Sequence, residues 1–370
     1  MSKASNNQIR FDALVSAAEK ARKTWGYVKG IVIAFAIVLL IIGGLYLYSG
    51  VWPPLVVIES ASMQHSDTRS YIHVIDTGDL VVLKKETSLS AVRPYLESYA
   101  DGYGTYSELG DVVIYRPFGS YDRTPIIHRA LCKVVYNATG GGFDVPAVAD
   151  LPGQMWEVKG GPDSWLDIHG TLVLHDIGFN SVDVRINFTT MLSNFANAHV
   201  APHGGLITLG DNNQGIIDQS SINSVCWQPV KEEWLNGVAR GELPWFGLIK
   251  LYANGQASQV PIPQNSKTNL LISLGLIIGI PILIDAVSIV LESKGISVAA
   301  WFRKTLGIPP KKAKEPEPEP EKAGKVGPQK SESKSSKAES KAKPNECKQK
   351  PGASSQKSKG KSGKKGKESR

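Results

Sequence analysis

Residues 30–58 read GIVIAFAIVLLIIGGLYLYSGVWPPLVVI and contain no Asp, Glu, Lys or Arg. The first part of this run, residues 30–49, includes 12 Leu, Ile, Val or Phe side chains, which favour membrane insertion by about 4–7 kcal/mol. At about 1.5 Å per residue, a helix of this length crosses the hydrocarbon core of a bilayer. Because no small-residue cleavage pattern follows the run, we interpret residues 30–50 as a transmembrane helix rather than a cleaved signal peptide.

A second apolar run lies at residues 269–291, where 15 side chains are Leu, Ile or Val and the only charge is Asp285. One carboxylate costs about 3 kcal/mol in a spanning helix, which these apolar side chains outweigh. Asp285 lies close to the end of the run, so we interpret it as a carboxylate near the membrane interface rather than part of a proton path. The sequence therefore predicts two transmembrane helices.

The positive charge of the chain is concentrated in its last sixty residues. Residues 311–370 carry 19 basic and 8 acidic side chains, and the remainder carries 23 basic and 26 acidic ones. A net charge of −3 outside the tail argues against a nucleic-acid-binding domain. The tail combines Lys, Ser, Gly, Pro and Glu with few apolar side chains, so we predict that residues 292–370 are mostly disordered.

Basic side chains on the outer flanks of both apolar runs predict the orientation in the membrane. By the positive-inside rule, residues 1–29 and 292–370 are both expected in the cytoplasm. Residues 51–268, with 14 basic and 22 acidic side chains between 51 and 267, are then expected on the outer face of the cell membrane. The flanking basic residues are Lys20, Arg22, Lys23, Lys29, Lys294, Arg303 and Lys304.

The region between the two runs has the pattern of an antiparallel β domain. Short β-branched and apolar segments at 80–83, 111–115, 171–174, 182–186 and 206–209 are separated by glycine- and proline-rich turns. Such turns favour hairpins over the crossover helices of a parallel sheet. Two cysteines of this region, Cys132 and Cys226, are candidates for a disulfide that sequence alone does not establish.

Five short motifs of the exported region follow one another in a suggestive order. They are ESASM at 59–63, GDLVV at 78–82, GDVVIY at 110–115, IIHR at 126–129 and GDNNQGIID at 210–218. A serine hydroxyl is a weak nucleophile until a neighbouring base removes its proton, and a third group usually orients that base. Serine, histidine and aspartate occur here in that order, although each motif alone is more often structural than catalytic.

Taken together, these motifs resemble those of type I signal peptidases of the archaeal and endoplasmic-reticulum branch. The resemblance implies that Ser62 is the nucleophile and His128 the general base, where the bacterial branch uses a lysine. Asp218 is implied as the carboxylate that orients His128, with Asp211 as a supporting acid. Ser60 resembles the position whose hydroxyl joins the Ser62 backbone NH in the oxyanion hole.

The chain departs from the family pattern at three points in these motifs. His65 replaces a proline that commonly follows the Ser-Met pair, and Leu209 replaces a lysine before Gly-Asp-Asn-Asn. The spacing from Asp211 to Asp218 is one residue longer than expected, which leaves open which of the two acids orients His128. Outside the motifs, the longest extra segment covers about residues 137–205, and we expect either an accessory β subdomain or a lid. The other histidines have no motif context and are expected to be structural: His65, His73, His169, His175, His199 and His203.

The resemblance implies a membrane-bound serine endopeptidase with a signal-peptidase-like antiparallel β fold that removes signal peptides from secretory preproteins. It implies no metal or organic cofactor. Its partners would be preproteins, the lipid bilayer and translocon or accessory subunits, and the large insertion and second span favour an archaeal cell membrane. Two alternatives remain open: an exported binding module without catalytic activity, and a membrane-tethered scaffold whose tail binds anionic lipid, ribosome or nucleic acid.

Overall fold

The computed structural model of the chain describes residues 3–295. The described part consists mainly of antiparallel β-sheets and has two long apolar helices at its ends. The predicted tail at 292–370 lies almost entirely outside the described residues. The coarse fold prediction, a β domain between two membrane-compatible helices, is confirmed.

The two long helices are α1, Lys3–Ser49, and α4, Ser266–Ser293. Within the described residues, the segments apolar enough to cross a membrane are Val28–Ser49 and all of α4, with mean hydropathies of 2.8 and 2.5. These segments begin and end within a few residues of the predicted spans. Most of their side chains are not covered by the rest of the protein, and Leu47, for example, is 82% exposed. The buried residues Ser49, Ser266 and Leu270 lie at the ends next to the β domain. Such exposure suits lipid-facing helices.

Twelve strands, two short α-helices and five short 3-10 helices lie between α1 and α4. The strands are β1 Leu55–Val57, β2 Leu80–Lys84, β3 Gly104–Thr105, β4 Glu108–Leu109, β5 Val112–Tyr115, β6 Ile126–Tyr136, β7 Phe143–Asp144, β8 Trp156–Lys159, β9 Thr171–Ile177, β10 Val182–Asn187, β11 Gly205–Leu209 and β12 Leu235–Leu243. The α-helices are α2, Phe188–Asn197, and α3, Leu248–Ala253. All five segments predicted as strands contain one.

The main sheet has the strand order β1-β2-β12-β5-β6-β11, with β7 paired to the far end of β6. Its pairs are antiparallel, and β6 aligns His128 with Val113 of β5 on one side and Arg129 with Leu209 of β11 on the other. Strand β6 suits an inner position because six of its eleven side chains are buried and only Val135 is exposed. The sheet therefore carries the histidine motif on an inner strand and the Gly-Asp-Asn-Asn motif just after the end of its last strand.

The extra segment at about 137–205 forms a sheet of its own, with the order β10-β9-β8, and ends in α2. Along β10, Val184 and Ile186 are buried whereas Asp183 and Arg185 are exposed, as expected for a strand with one face on a core. We call residues 137–205 the insertion. The predicted β character of this segment is confirmed, but α2 was not predicted.

The largest apolar core joins the insertion to the main sheet. It contains Leu172, Ile186 and Phe195 of the insertion together with Ile207 and Leu209 of β11. All five residues of β11 are buried although it is the last strand of the main sheet, because the insertion covers it. The insertion is thus packed on the domain rather than suspended beside it.

The two cysteines proposed as a disulfide pair are both free and buried. Cys132 belongs to the core shared with the insertion, whereas Cys226 packs in a second cluster with Trp234 and Val238. Burial raises the pKa of the Cys226 thiol to about 12 and raises that of Cys132 as well. Both therefore act as small apolar core residues, and the suggested disulfide is not formed.

Candidate active site

Ser62 lies in a tight turn shortly after β1. The turn is closed by the Gln64 backbone NH, which donates to the Ala61 carbonyl at 3.1 Å. The next side chain, Met63, is only 1% exposed and packs in the apolar cluster of Ile58 and Ala239. Because Met63 anchors the turn from below, the partly exposed Ser62 side chain projects from a fixed backbone.

The Ser62 hydroxyl, the His128 imidazole and the Asp218 carboxylate form a hydrogen-bonded row. The Ser62 Oγ lies 2.9 Å from His128 Nε2. On the other side of the ring, Nδ1 lies 2.7 Å and 2.9 Å from the two oxygens of Asp218. An ionised carboxylate only accepts, so Nδ1 carries the proton and Nε2 is free to accept from Ser62. This arrangement prepares a serine hydroxyl for nucleophilic attack.

Asp218 is 4% exposed and is held by two further hydroxyl groups. Its Oδ2 accepts from the Tyr115 hydroxyl at 2.7 Å and from Thr208 Oγ1 at 2.7 Å. Burial and the charge of Asp218 raise the pKa of Tyr115 well above its ordinary value, so Tyr115 stays a donor at neutral pH. Neutral donors stabilise the carboxylate without a cation that would compete with the imidazole.

Asp211 occupies a different environment from Asp218. Its two oxygens accept from Arg129 Nε and Nη2, both at 2.7 Å, and Oδ2 also lies 3.2 Å from His65 Nε2. Burial would raise the pKa of Asp211, but the charge of Arg129 and its hydrogen bonds outweigh burial and hold the pKa below its usual value. The structure thus places Asp218, and not Asp211, against the candidate base.

The turn that begins at Asp211 nevertheless contacts the serine turn. The Asn212 backbone NH donates to the Ser62 carbonyl at 2.8 Å, and its side-chain amide donates to the Ala61 carbonyl at 3.1 Å. A Cβ atom on Gly210 would approach the Ser62 carbonyl oxygen to 2.6 Å. Glycine is therefore needed for this close approach. Sequence reasoning did not single out Asn212, although it stands in the quoted motif.

Ser60 lies beside the nucleophile. Its exposed hydroxyl is 3.2 Å from the Ser62 Oγ. At this distance, both hydroxyls can contact the same substrate carbonyl group. Within residues 3–295, the Ser62 backbone NH has no hydrogen-bond acceptor. A backbone NH without an acceptor beside an exposed hydroxyl is the donor pair that an oxyanion hole requires.

The two Gly-Asp strand starts have structural roles. Asp79, before β2, accepts from the backbone NH groups of Asp76 and Trp245 at 2.8 Å and 2.7 Å. Asp111, before β5, accepts from the Tyr103 hydroxyl and from Arg240. Burial raises the pKa of Asp79 to about 7 and that of Asp76 to about 6. These carboxylates fix strand entries and, within residues 3–295, form their hydrogen bonds away from Ser62 and His128.

A cavity of about 920 Å³ opens between the β3–β4 hairpin and β12, and its lining includes Tyr106, Ala239 and Glu242. Ala239 and Tyr106 pack in the same apolar cluster as Met63, the residue after Ser62. The hairpin is held by Arg129, whose Nη1 donates to carbonyl groups of residues 105 and 108–110. The arginine that holds Asp211 therefore also holds one wall of this cavity.

His65 is an exception among the six histidines expected to be structural. It alone of the six is hydrogen-bonded to a candidate site residue, Asp211. His203 instead contacts Gln228, and His175 contacts Asp183. Position 65, one of the three points at which the chain departs from the motifs it resembles, therefore lies beside the candidate active site.

No known protein-family model matches this chain, and no curated protein matches it. The residues and their geometry are therefore the basis of the functional proposal.

Proposed function

We propose that this chain is a membrane-bound serine endopeptidase of the signal peptidase I type, which removes signal peptides from exported preproteins. The observation that carries the proposal is the row Ser62–His128–Asp218, with contacts of 2.9 Å and 2.7 Å, just after a membrane-compatible helix. The resemblance of five ordered motifs to that family supplies the substrate class. A second apolar helix after the β domain fits a protein that works at a membrane surface.

In the first half of the reaction, the Ser62 oxygen attacks the carbonyl carbon of the peptide bond to be cleaved. His128 Nε2 accepts the hydroxyl proton, and Asp218 stabilises the imidazolium that forms. The oxyanion lies between the Ser62 NH and the Ser60 hydroxyl, and one such donor typically contributes about 3 kcal/mol to transition-state stabilisation. His128 then gives the proton to the leaving amine, which becomes the N-terminus of the mature protein.

In the second half, water hydrolyses the ester between Ser62 and the signal peptide. His128 removes a proton from the water, the oxygen attacks the acyl carbon, and the proton returns to the Ser62 oxygen as the ester bond breaks. No other reactant is consumed. The signal peptide leaves with a new carboxylate, and the row of hydrogen bonds is restored.

The membrane-compatible helices place Ser62 near the bilayer surface, where the cleavage site of this substrate is expected. The segment Val28–Ser49 ends 13 residues before Ser62. This short connection keeps the nucleophile close to the bilayer surface. A signal segment that inserts in the same bilayer would present its cleavage site at that surface. We propose that the β domain faces outward with both termini in the cytoplasm, as the flanking basic residues predict.

The test is cleavage of a purified precursor by the full-length protein in detergent, with the new N-terminus sequenced. We expect cleavage after a small-x-small pattern, and its loss in Ser62→Ala and His128→Ala variants. Ser60→Ala should retain cleavage with kcat lowered about 10²-fold. A Ser66→Ala variant, which removes another hydroxyl on the same loop, is the matched control. Folded protein that does not cleave, or cleavage that persists in Ser62→Ala, would contradict the proposal.

A further inference from the structure

The hairpin between β9 and β10 brings the insertion into contact with the candidate site. Phe179, at the tip of this hairpin, stacks on His65, with ring centroids 3.9 Å apart and planes inclined by 17°. His65 lies three positions after Ser62 and is in turn bonded to Asp211 at 3.2 Å. A side chain of the insertion therefore lies one residue away from the Asp211 ion pair.

This contact continues to the nucleophile through short bonds. Arg129 fixes Asp211 through two bonds of 2.7 Å, and the residue after Asp211 donates its backbone NH to the Ser62 carbonyl at 2.8 Å. Each step joins buried or partly buried groups. A shift of the His65 ring would therefore be transmitted to the backbone of Ser62.

The same hairpin contacts the loop that leads to Asp218. Gly215, three positions before Asp218, lies so close to β10 that a Cβ atom there would approach the Asp183 carbonyl oxygen to 2.4 Å. Ile217, the residue just before Asp218, packs in one core with Ile177 and Val184 of the hairpin strands. The hairpin thus supports the acid end of the row as well as the serine end.

A third contact fixes the hairpin relative to β6, the strand that carries the base. The Gly178 backbone NH donates to the Tyr95 hydroxyl at 3.1 Å. The Tyr95 backbone NH donates to the carbonyl of Ala130, two positions after His128, at 2.8 Å. Each member of the Ser62–His128–Asp218 row therefore lies within a few residues of a contact that is made either by the hairpin or by Tyr95, which binds the hairpin.

The three departures from the family pattern all lie where the insertion meets the site. His65 stacks on Phe179. Leu209, in place of a lysine, is 7% exposed in the core shared with the insertion. The lengthened loop between Asp211 and Asp218 contains Gly215, which touches Asp183. A lysine at position 209 would bring a charge into this apolar core.

We infer that the β9–β10 hairpin is a positioning element of the active site, with Phe179 and His65 as positioning residues that keep Ser62 and Asp218 in register with His128. This inference rests on the proposed function. It assigns the insertion a role in the chemical step and none in holding the preprotein. Loss of the Phe179 ring should therefore lower kcat and leave KM unchanged.

The first measurement compares kcat and KM for precursor cleavage in Phe179→Ala, Phe179→Tyr and Leu166→Ala. Leu166 is an exposed apolar residue of the same insertion (47% exposed) and serves as the matched control. Misplacing reacting groups by about 1 Å can cost about 10²-fold, so we expect kcat to fall roughly ten- to a hundred-fold in Phe179→Ala. Phe179→Tyr should restore kcat because its ring can still stack. Unchanged kcat, or a change confined to KM, would overturn the inference.

A second measurement needs no substrate. The Ser62→Cys variant is alkylated with iodoacetamide, and the modification at position 62 is followed by mass spectrometry. Only the thiolate reacts, as its sulfur displaces iodide. The pH dependence of the rate therefore reports the pKa of the thiol. A neighbouring imidazolium lowers such a pKa. We expect reaction well below pH 8.5, and at least tenfold slower alkylation at pH 6.5 after Phe179→Ala.

The two measurements separate the two ways of being wrong. An ordinary thiol pKa at position 62 with the hairpin intact would contradict the Ser62–His128 pairing and the proposed function with it. A lowered thiol pKa that Phe179→Ala leaves unchanged would contradict only the positioning role. Thermal unfolding of each variant identifies those that fail to fold. If Phe179→Ala does not fold, it is replaced by His65→Phe, which keeps the ring stack but removes the hydrogen bond to Asp211.

Discussion

Asp211 and Asp218 lie in one loop and both side chains are buried, yet their surroundings differ in the kind of group that binds them. Asp218 accepts from the neutral hydroxyls of Tyr115 and Thr208 and faces the His128 ring. Asp211 accepts from the Arg129 guanidinium, which already neutralises it. A carboxylate serves an imidazole only if no permanent cation holds it first. The comparison therefore separates a candidate catalytic acid from a structural one.

The largest expected effect follows the removal of charge from Asp218. We predict that Asp218→Asn lowers kcat for precursor cleavage by about 10⁴-fold, because an amide neither stabilises the imidazolium nor enforces the tautomer with a proton on Nδ1. Steady-state kinetics with the purified variant provide the measurement. A fall in kcat of less than about tenfold would contradict the role of Asp218 as the carboxylate that supports His128.

The same substitution at Asp211 should act on stability. Asp211→Asn leaves the Arg129 guanidinium buried without its partner, a change that typically costs about 3–5 kcal/mol. Denaturant unfolding of the β domain would show the loss. At a temperature where the variant stays folded, kcat should fall far less than in Asp218→Asn; equal falls would show that the two acids share one role.

A smaller effect is expected from the hydroxyl that supports Asp218. Tyr115→Phe removes one donor and leaves Thr208 in place, so we predict a fall in kcat of about tenfold, equivalent to about 1.4 kcal/mol. Tyr121→Phe, at a tyrosine that is 83% exposed, is the matched control and should have no effect. If both variants behave alike, the Tyr115 hydroxyl does not support the acid.

The last prediction concerns the pH dependence of stability and contrasts Asp211 with Asp79. The pKa of Asp79 is raised to about 7 by burial, so the folded state holds a proton that the unfolded chain releases above about pH 4, and stability falls as pH rises from 4 to 7. Asp211, with its lowered pKa, contributes stability above its unfolded pKa that is lost at lower pH.

Measuring the unfolding free energy of wild type and Asp79→Asn between pH 4.5 and 7.5 tests this sign. One such group changes the slope by at most about 1.4 kcal/mol per pH unit, and the variant should show the shallower decline. An equal decline in wild type and Asp79→Asn would mean that folded Asp79 is ionised throughout the range and would contradict the raised pKa.

Local sequence patterns predicted much of the fold and the members of the candidate site. Uncharged apolar runs indicate lipid-facing helices, and β-branched runs between turns indicate strands such as β5 and β11. Helix α2 was missed because its sequence, FTTMLSNFAN, mixes β-branched and apolar residues. Its local signal was Asn187, whose side chain accepts from the Thr190 backbone NH at 2.8 Å and caps the helix.

The choice between Asp211 and Asp218 was beyond the sequence because it depends on which groups the fold brings to each carboxylate. The Tyr115 hydroxyl comes from a strand that is 103 positions away from Asp218 in the chain. Likewise, nothing local to Phe179 indicates that its ring would meet His65. These contacts arise from how β5, the insertion and the Ser62 turn pack together, and sequence periodicity carries no information about them.

The most direct test of the account is the titration of a thiol at position 62 in three proteins: Ser62→Cys alone, with Asp218→Asn, and with Asp211→Asn. The account predicts a lowered thiol pKa in the first, a rise toward the ordinary value of about 8.5 with Asp218→Asn, and little change with Asp211→Asn. An ordinary pKa in Ser62→Cys alone, or a rise only with Asp211→Asn, would contradict the claim that Ser62, His128 and Asp218 act as one unit.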